Sequence, residues 1–103
     1  MMDEKESLLC ETMQAVSARA LVYGSANHHF ARTIGAINAM FKHKFNEDLT
    51  PSDWAMMMMI DKIAREQHTP KRDNAVDIAG YAACLAQCRV EEGKYDGSKV
   101  NQY

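Results

Sequence analysis

The chain contains two prolines, Pro51 and Pro70, and each follows a threonine. Threonine before proline is a helix-start signal, because the hydroxyl can accept from an exposed amide while proline's fixed φ and missing N–H suit the first helical position. In Thr50-Pro51-Ser52-Asp53 the aspartate can also complete a reciprocal cap. Glycine is scarce too, five in the chain, and both residue types act as punctuation, so a helical reading of the whole chain comes first.

The first predicted helix runs from about Asp3 to Val22, with Leu9, Met13, Val16 and Ala20 on one stripe. Tyr23-Gly24-Ser25 interrupts it. A second runs from about Asn27 to Lys44, where Phe30, Ile34, Ile37, Phe41 and Phe45 give the strongest amphipathic pattern of the chain. The third starts at Pro51 and extends to about Gln67, burying Met56, Met59, Ile60 and Ile63; four consecutive methionines cannot share one face, so they either pack on two sides or leave an apolar surface. The fourth runs from about Pro70 to Glu91.

Four helices with short joints predict an all-α fold, a compact four-helix bundle. At 103 residues its core is modest, and oligomerisation is expected to complete it. Residues 1–92 make the domain, and 93–103, GKYDGSKVNQY, form a polar C-terminal tail. A net charge of -2 argues against a broad nucleic-acid-binding surface, so any phosphate site is local. No stretch approaches a membrane span or a secretory leader, which leads to a cytoplasmic expectation with no membrane partner.

Cys10, Cys84 and Cys88 are odd in number and lack zinc spacing, and none of His28, His29, His43 and His68 completes a zinc pattern with them; buried apolar thiols are expected. Asp73 and Asp77 are neighbours on one helix face and repel unless a cation or a basic side chain stands between them. Magnesium is one such cation; a lysine or arginine of the third helix is the ordinary alternative for Asp77. Gly80, costly inside a helix, suggests close approach by another helix or a ligand. Lys71 and Arg72 oppose the dipole at their end of the fourth helix, which suits an anion cradle, and Lys62 and Arg65 lie one turn apart on the third. Glu11, on one face with Glu4, could add a carboxylate from the first helix. His29, just after the Tyr23-Gly24 break, is either a capping or surface residue or a ligand contact.

Three blocks, RALVYGSANHHF (19–30), LTPSDWAMMMMIDKIAR (49–65) and KRDNAVDIAGYAA (71–83), follow one another in an order that resembles a small phage-associated family of uncharacterised proteins, over about Leu8 to Cys88. That family looks like a relative of the MazG-like all-α nucleoside triphosphate pyrophosphohydrolases. The resemblance implies a MazG-like bundle and, for a phage-encoded chain, a place in the host cytoplasm. Among the family's recurring positions it points to Arg19, Tyr23, Lys62, Arg65 and Lys71, and His29 stands where that family commonly has Asn. MazG-like enzymes hold magnesium and the triphosphate with EExxE and a later ExxD. Here Asn74-Ala75-Val76-Asp77 keeps only the last acid, and LLCETMQ keeps only Glu11.

The expectation is therefore magnesium-dependent nucleotide binding with nucleoside triphosphate pyrophosphohydrolase chemistry on an incomplete acidic motif. Mg2+ would be held by Glu11, Asp73 and Asp77, with Glu11 and Asp77 as the catalytic carboxylates. The nucleotide or related phosphorylated small molecule would be bound by Arg19, Tyr23, His29, Lys62, Arg65, Lys71 and Arg72. Two alternatives stand beside it: a noncatalytic phage protein sequestering a nucleotide signal, and a helical interaction module acting on a host protein. A homo-oligomer is expected in either nucleotide reading.

Overall fold

A computed structural model describes residues 2–23 and 25–96, apart from the side chains of Tyr23 and His29. Four helices occupy them: α1 (Glu4–Tyr23), α2 (Ala26–Phe41), α3 (Pro51–His68) and α4 (Arg72–Glu91). They pack together as a compact all-α bundle. The part of the predicted tail beyond residue 96 lies outside the described residues.

Each helix end has an identifiable cause. Asp3 accepts from the Glu6 amide at 2.9 Å and opens α1, and Ser25 accepts from the His28 amide at 3.3 Å and opens α2. Thr50 and Asp53 form the reciprocal cap of α3: Asp53 N–H donates to the Thr50 hydroxyl at 3.3 Å and Thr50 N–H to the Asp53 carboxylate at 2.8 Å. The second Thr-Pro pair behaves differently. Thr69 is the closing residue of α3, its N–H donating to the Arg65 carbonyl at 2.9 Å, and α4 begins two residues later than expected. Its amino end is served from α3, where the Glu66 carboxylate accepts from the Lys71 amide at 2.9 Å and from the Asn74 side chain at 3.1 Å. Those bonds hold the Glu66 carboxyl below the usual glutamate value, the Lys71 amide contributing most.

The carboxyl end of α4 closes through Gly93 at φ +75°, a left-handed conformation that suits glycine. Gly93 N–H donates to the Val90 carbonyl at 3.0 Å and Lys94 N–H to the Arg89 carbonyl at 2.8 Å, the Schellman pattern. Between α2 and α3 the Asn38 side chain pairs with both backbone groups of Leu49, each at 2.8 Å, and so fixes where α3 starts. α2 ends at Phe41 rather than Lys44 because residues 42–44 form a turn.

α3 and α4 form the most extensive pair, with Ser52, Ala55 and Cys88 wholly buried on their facing sides. Small side chains let the two backbones approach closely. α2 lies across both and contributes Phe30 and Ile34 to the core, while α1 rests on α4 and meets α2 only thinly. With that thin contact Leu9 and Met13 of α1 are 60% and 65% exposed, and Ile60 of α3, expected to be buried, is 66% exposed. The α1 stripe is present, but only its Val16 edge is covered. Met57 and Ile63 of α3 are likewise exposed, whereas Met56, Met58 and Met59 are half-buried. No helix among the described residues is long and apolar enough to cross a membrane.

Candidate functional site

The splay of α1 and α2 opens a cleft of about 490 Å³ whose floor is α4. Val16 from α1, Phe30 from α2, Trp54 from α3, and Val76 and Tyr81 from α4 make most of its wall apolar. Phe30 and Tyr81 stack, with ring centroids 6.1 Å apart and planes inclined by 30°. The Thr12 hydroxyl donates to the Leu8 carbonyl at 2.7 Å, so its methyl group is what faces Gly80. A Cβ at Gly80 would meet Val16 at 3.7 Å and Thr12 at 3.9 Å, ordinary contact distances. The α1 backbone therefore does not force glycine there, and the missing side chain enlarges the cleft instead.

One end of the cleft is ionic. Asp77, one helical turn before Tyr81, forms an ion pair with Lys62 at 3.1 Å, and the Arg19 guanidinium stands 3.9 Å from its other oxygen. The two cations differ. Lys62 is largely buried and paired closely with Asp77, whereas Arg19 is 61% exposed and lies beyond hydrogen-bond range of Asp77. Cys84 lies on the same wall; burial pushes its thiol up from the ordinary value, partly offset by the Arg19 charge.

The expected magnesium set does not assemble. Glu11 is bound by Arg72, which also donates to Glu4 at 2.5 Å, and these two carboxylates, Glu4 first, raise the Arg72 pKa. Asp77 has Lys62 as its counter-charge, the ordinary alternative for that residue, and Asp73 is exposed on the first turn of α4. Among the described residues no three His, Cys, Asp or Glu side chains are grouped so as to hold a metal ion. This overturns the expectation of Mg2+ as cofactor, of magnesium-dependent nucleotide binding and of hydrolase chemistry on the MazG-like pattern. The physical reason is that Glu11 and Asp77 are taken by separate basic partners while Asp73 stands exposed, so the three do not converge on a divalent ion.

The expected phosphate-binding residues are dispersed as well. Arg19 lines the cleft and Lys62 joins it through Asp77. Arg65 is paired with Asp61 at 3.0 Å and shares a separate, open depression with Lys71 and His68. Arg72 is occupied by Glu4 and Glu11, and the side chains of Tyr23 and His29 lie outside the described residues. The aromatic wall was not identified from sequence. Phe30 was legible as an apolar position of the second helix, and Trp54, the sole tryptophan in the first turn of a strongly capped helix, was a further signal.

A family profile described as Domain of unknown function (DUF6378) matches residues 7–89. The chain is also 37% identical over 75 residues to the Gene 55 protein of Mycobacterium phage L5, a match covering 72% of this chain and 46% of that protein. The chain thus spans about half the length of that curated relative. No solved structure matches it. These likenesses support the resemblance to a small phage-associated family, and neither extends to MazG-like enzymes.

Proposed function

The chain belongs to the family described as Domain of unknown function (DUF6378), and from that premise we propose that it is a noncatalytic binding protein that holds a nucleotide or related phosphorylated small molecule in the cleft above α4. The observation that carries this reading is the conjunction of a stacked aromatic wall, Phe30 and Tyr81, with an exposed arginine, Arg19, at the same cleft. A cleft of about 490 Å³ falls within the range that encloses small ligands. Phosphate groups take arginine's forked donors well, and planar bases stack on aromatic rings.

In this reading the domain is residues 1–92, with 93–103 as its tail, and the fold is a relative of the MazG-like scaffold that retains an interhelical cleft without the acidic set. The protein acts by sequestration of a nucleotide signal in the host cytoplasm. It does so as a homo-oligomer, in which the exposed Leu9 and Met13 stripe of α1 is covered.

Equilibrium dialysis of the purified chain against a panel of linear and cyclic nucleotides, with product analysis, tests the proposal. The expected outcome is ligand retained unchanged, in stoichiometric amount, with or without a chelator. Failure to retain any of them sinks it. The exposed apolar side chains of α1 and α3 then favour the second reading, a helical module that acts on a host protein; Leu9→Asp and Ile60→Asp would each abolish such an association while leaving helical content intact.

A further inference from the structure

The charges around the cleft limit what kind of nucleotide it can take, and the argument rests on the binding role proposed above. Its ionic end holds Arg19, Lys62 and Asp77, and Lys62 is neutralised by Asp77 at 3.1 Å. One positive charge is left over, that of Arg19. Among the described residues no group hydrogen-bonds the Arg19 guanidinium, and Arg19 lines the cleft with its side chain 61% exposed. Of the other cations expected to bind phosphate, Arg72 is committed to Glu4 and Glu11 at the start of α4, and Arg65 to Asp61. Lys71 lines a different depression. No metal-holding cluster among the described residues supplies the missing charge.

We infer that the cleft selects a nucleotide carrying a single phosphate group, either a nucleoside monophosphate or a cyclic mononucleotide, with its base against Phe30, Tyr81 and Trp54 and its phosphate on Arg19. A triphosphate brings several negative charges to one arginine beside the Asp77 carboxylate. Its outer phosphates gain no partner and repel Asp77. A nucleoside without phosphate keeps the stacking but forgoes the charge-assisted bonds to Arg19.

Trp54 lines the cleft and is the only tryptophan, so its fluorescence reports occupancy directly. Titration of the full chain with nucleosides, linear monophosphates, cyclic monophosphates and triphosphates of the same bases, confirmed by dialysis, separates the arms. The expected result is that one of the single-phosphate forms binds about tenfold or more tighter than both the nucleoside and the triphosphate. Arg19→Ala should lower the affinity for the single-phosphate form to about that of the nucleoside; Arg19→Lys should restore part of it. Arg19 is mostly exposed, so both variants should fold, and circular dichroism checks this.

A triphosphate that binds as tightly as its monophosphate overturns the inference but leaves the nucleotide reading standing, and so does an Arg19→Ala variant with undiminished affinity. Silence of every nucleotide in dialysis overturns both.

Discussion

Glu92 closes the amino end of α3 through Ser52, whose amide donates to its carboxylate at 3.1 Å and whose hydroxyl donates at 2.7 Å. The two residues lie 40 positions apart in the chain, so this bond pair ties the last turn of α4 to the first turn of α3. A carboxylate there satisfies an unpaired helix amide and meets the positive end of the α3 dipole. Glu92→Gln should lower stability by about 1–2 kcal/mol, because the charge-assisted bonds become neutral ones. Ser52→Ala should cost about 1 kcal/mol, since the amide bond survives. Urea unfolding of the two single variants and the double variant should show strong non-additivity, and simple additivity would mean that the pair does not act as one unit.

The Asp77–Lys62 pair makes a different prediction, because it takes the place of a metal site. Asp77→Asn leaves the largely buried Lys62 ammonium without its counter-charge and should destabilise the fold by about 1 kcal/mol, a figure reduced for the quarter exposure of Asp77. Adding Lys62→Met to that variant should recover part of the loss. Magnesium should leave the thermal midpoint of the unmutated protein unchanged. A midpoint that rises with magnesium and loses that rise in Asp77→Asn would contradict the assignment.

Helix positions were legible in the sequence wherever a local signal was decisive. Thr50-Pro51-Ser52-Asp53 forms the expected cap because all of its partners lie within one turn. Thr69-Pro70 carries the same signal, yet the amino end of α4 is satisfied by Glu66 from the preceding helix, a partner that propensity rules do not weigh. The α1 stripe was visible, but periodicity shows that a face is apolar and not whether a neighbour covers it. The acidic residues were also visible. Whether they converge depends on interhelical geometry, and Glu11 and Asp77 point toward separate cations, Arg72 and Lys62.

Two glycines should respond oppositely to alanine. Gly80 sits inside α4 with ordinary contact distances around a built Cβ, so Gly80→Ala should stabilise the fold by roughly 0.5–1 kcal/mol through the unfolded chain's lost freedom. The same methyl group narrows the cleft floor and should weaken ligand binding. Gly93 has φ +75°, and Gly93→Ala should destabilise by about 1 kcal/mol. Thermal melts measure both signs; a destabilised Gly80→Ala would show that the α1–α4 packing around Val16 and Thr12 does not accept the added methyl group.

Glu66 should set an acid limit on the α3–α4 joint. Its carboxyl is held below the ordinary value of 4.5, so the folded state binds this proton less readily than the unfolded chain does. The stabilisation is present in full above pH 4.5 and is lost as pH falls through the lower folded-state value. In Glu66→Gln that part of the pH dependence should disappear, and the amino end of α4 should exchange amide hydrogens faster at neutral pH. Identical acid unfolding profiles for the two proteins would remove Glu66 from the account.

The cysteines give a test of the cleft that needs no knowledge of activity. Cys84 lines the cleft, and its thiol is shifted upward by burial, so an alkylating reagent should attack it slowly at neutral pH and faster as the solution becomes alkaline and thiolate forms. Cys88 is wholly buried one turn further on, and burial, with Glu92 and Cys84 nearby, pushes its thiol up to about 11. It should stay unlabelled until the chain unfolds and so serves as an internal control for global opening. A ligand seated against Tyr81 and Phe30 blocks the approach to Cys84 without affecting Cys10, which does not line the cleft. Peptide mass mapping should therefore show selective protection of Cys84 at saturating ligand, with Cys10 labelled at its original rate. Equal protection of both cysteines would mean that the ligand stabilises the whole bundle from a different surface, and no protection at Cys84 would place the ligand outside this cleft.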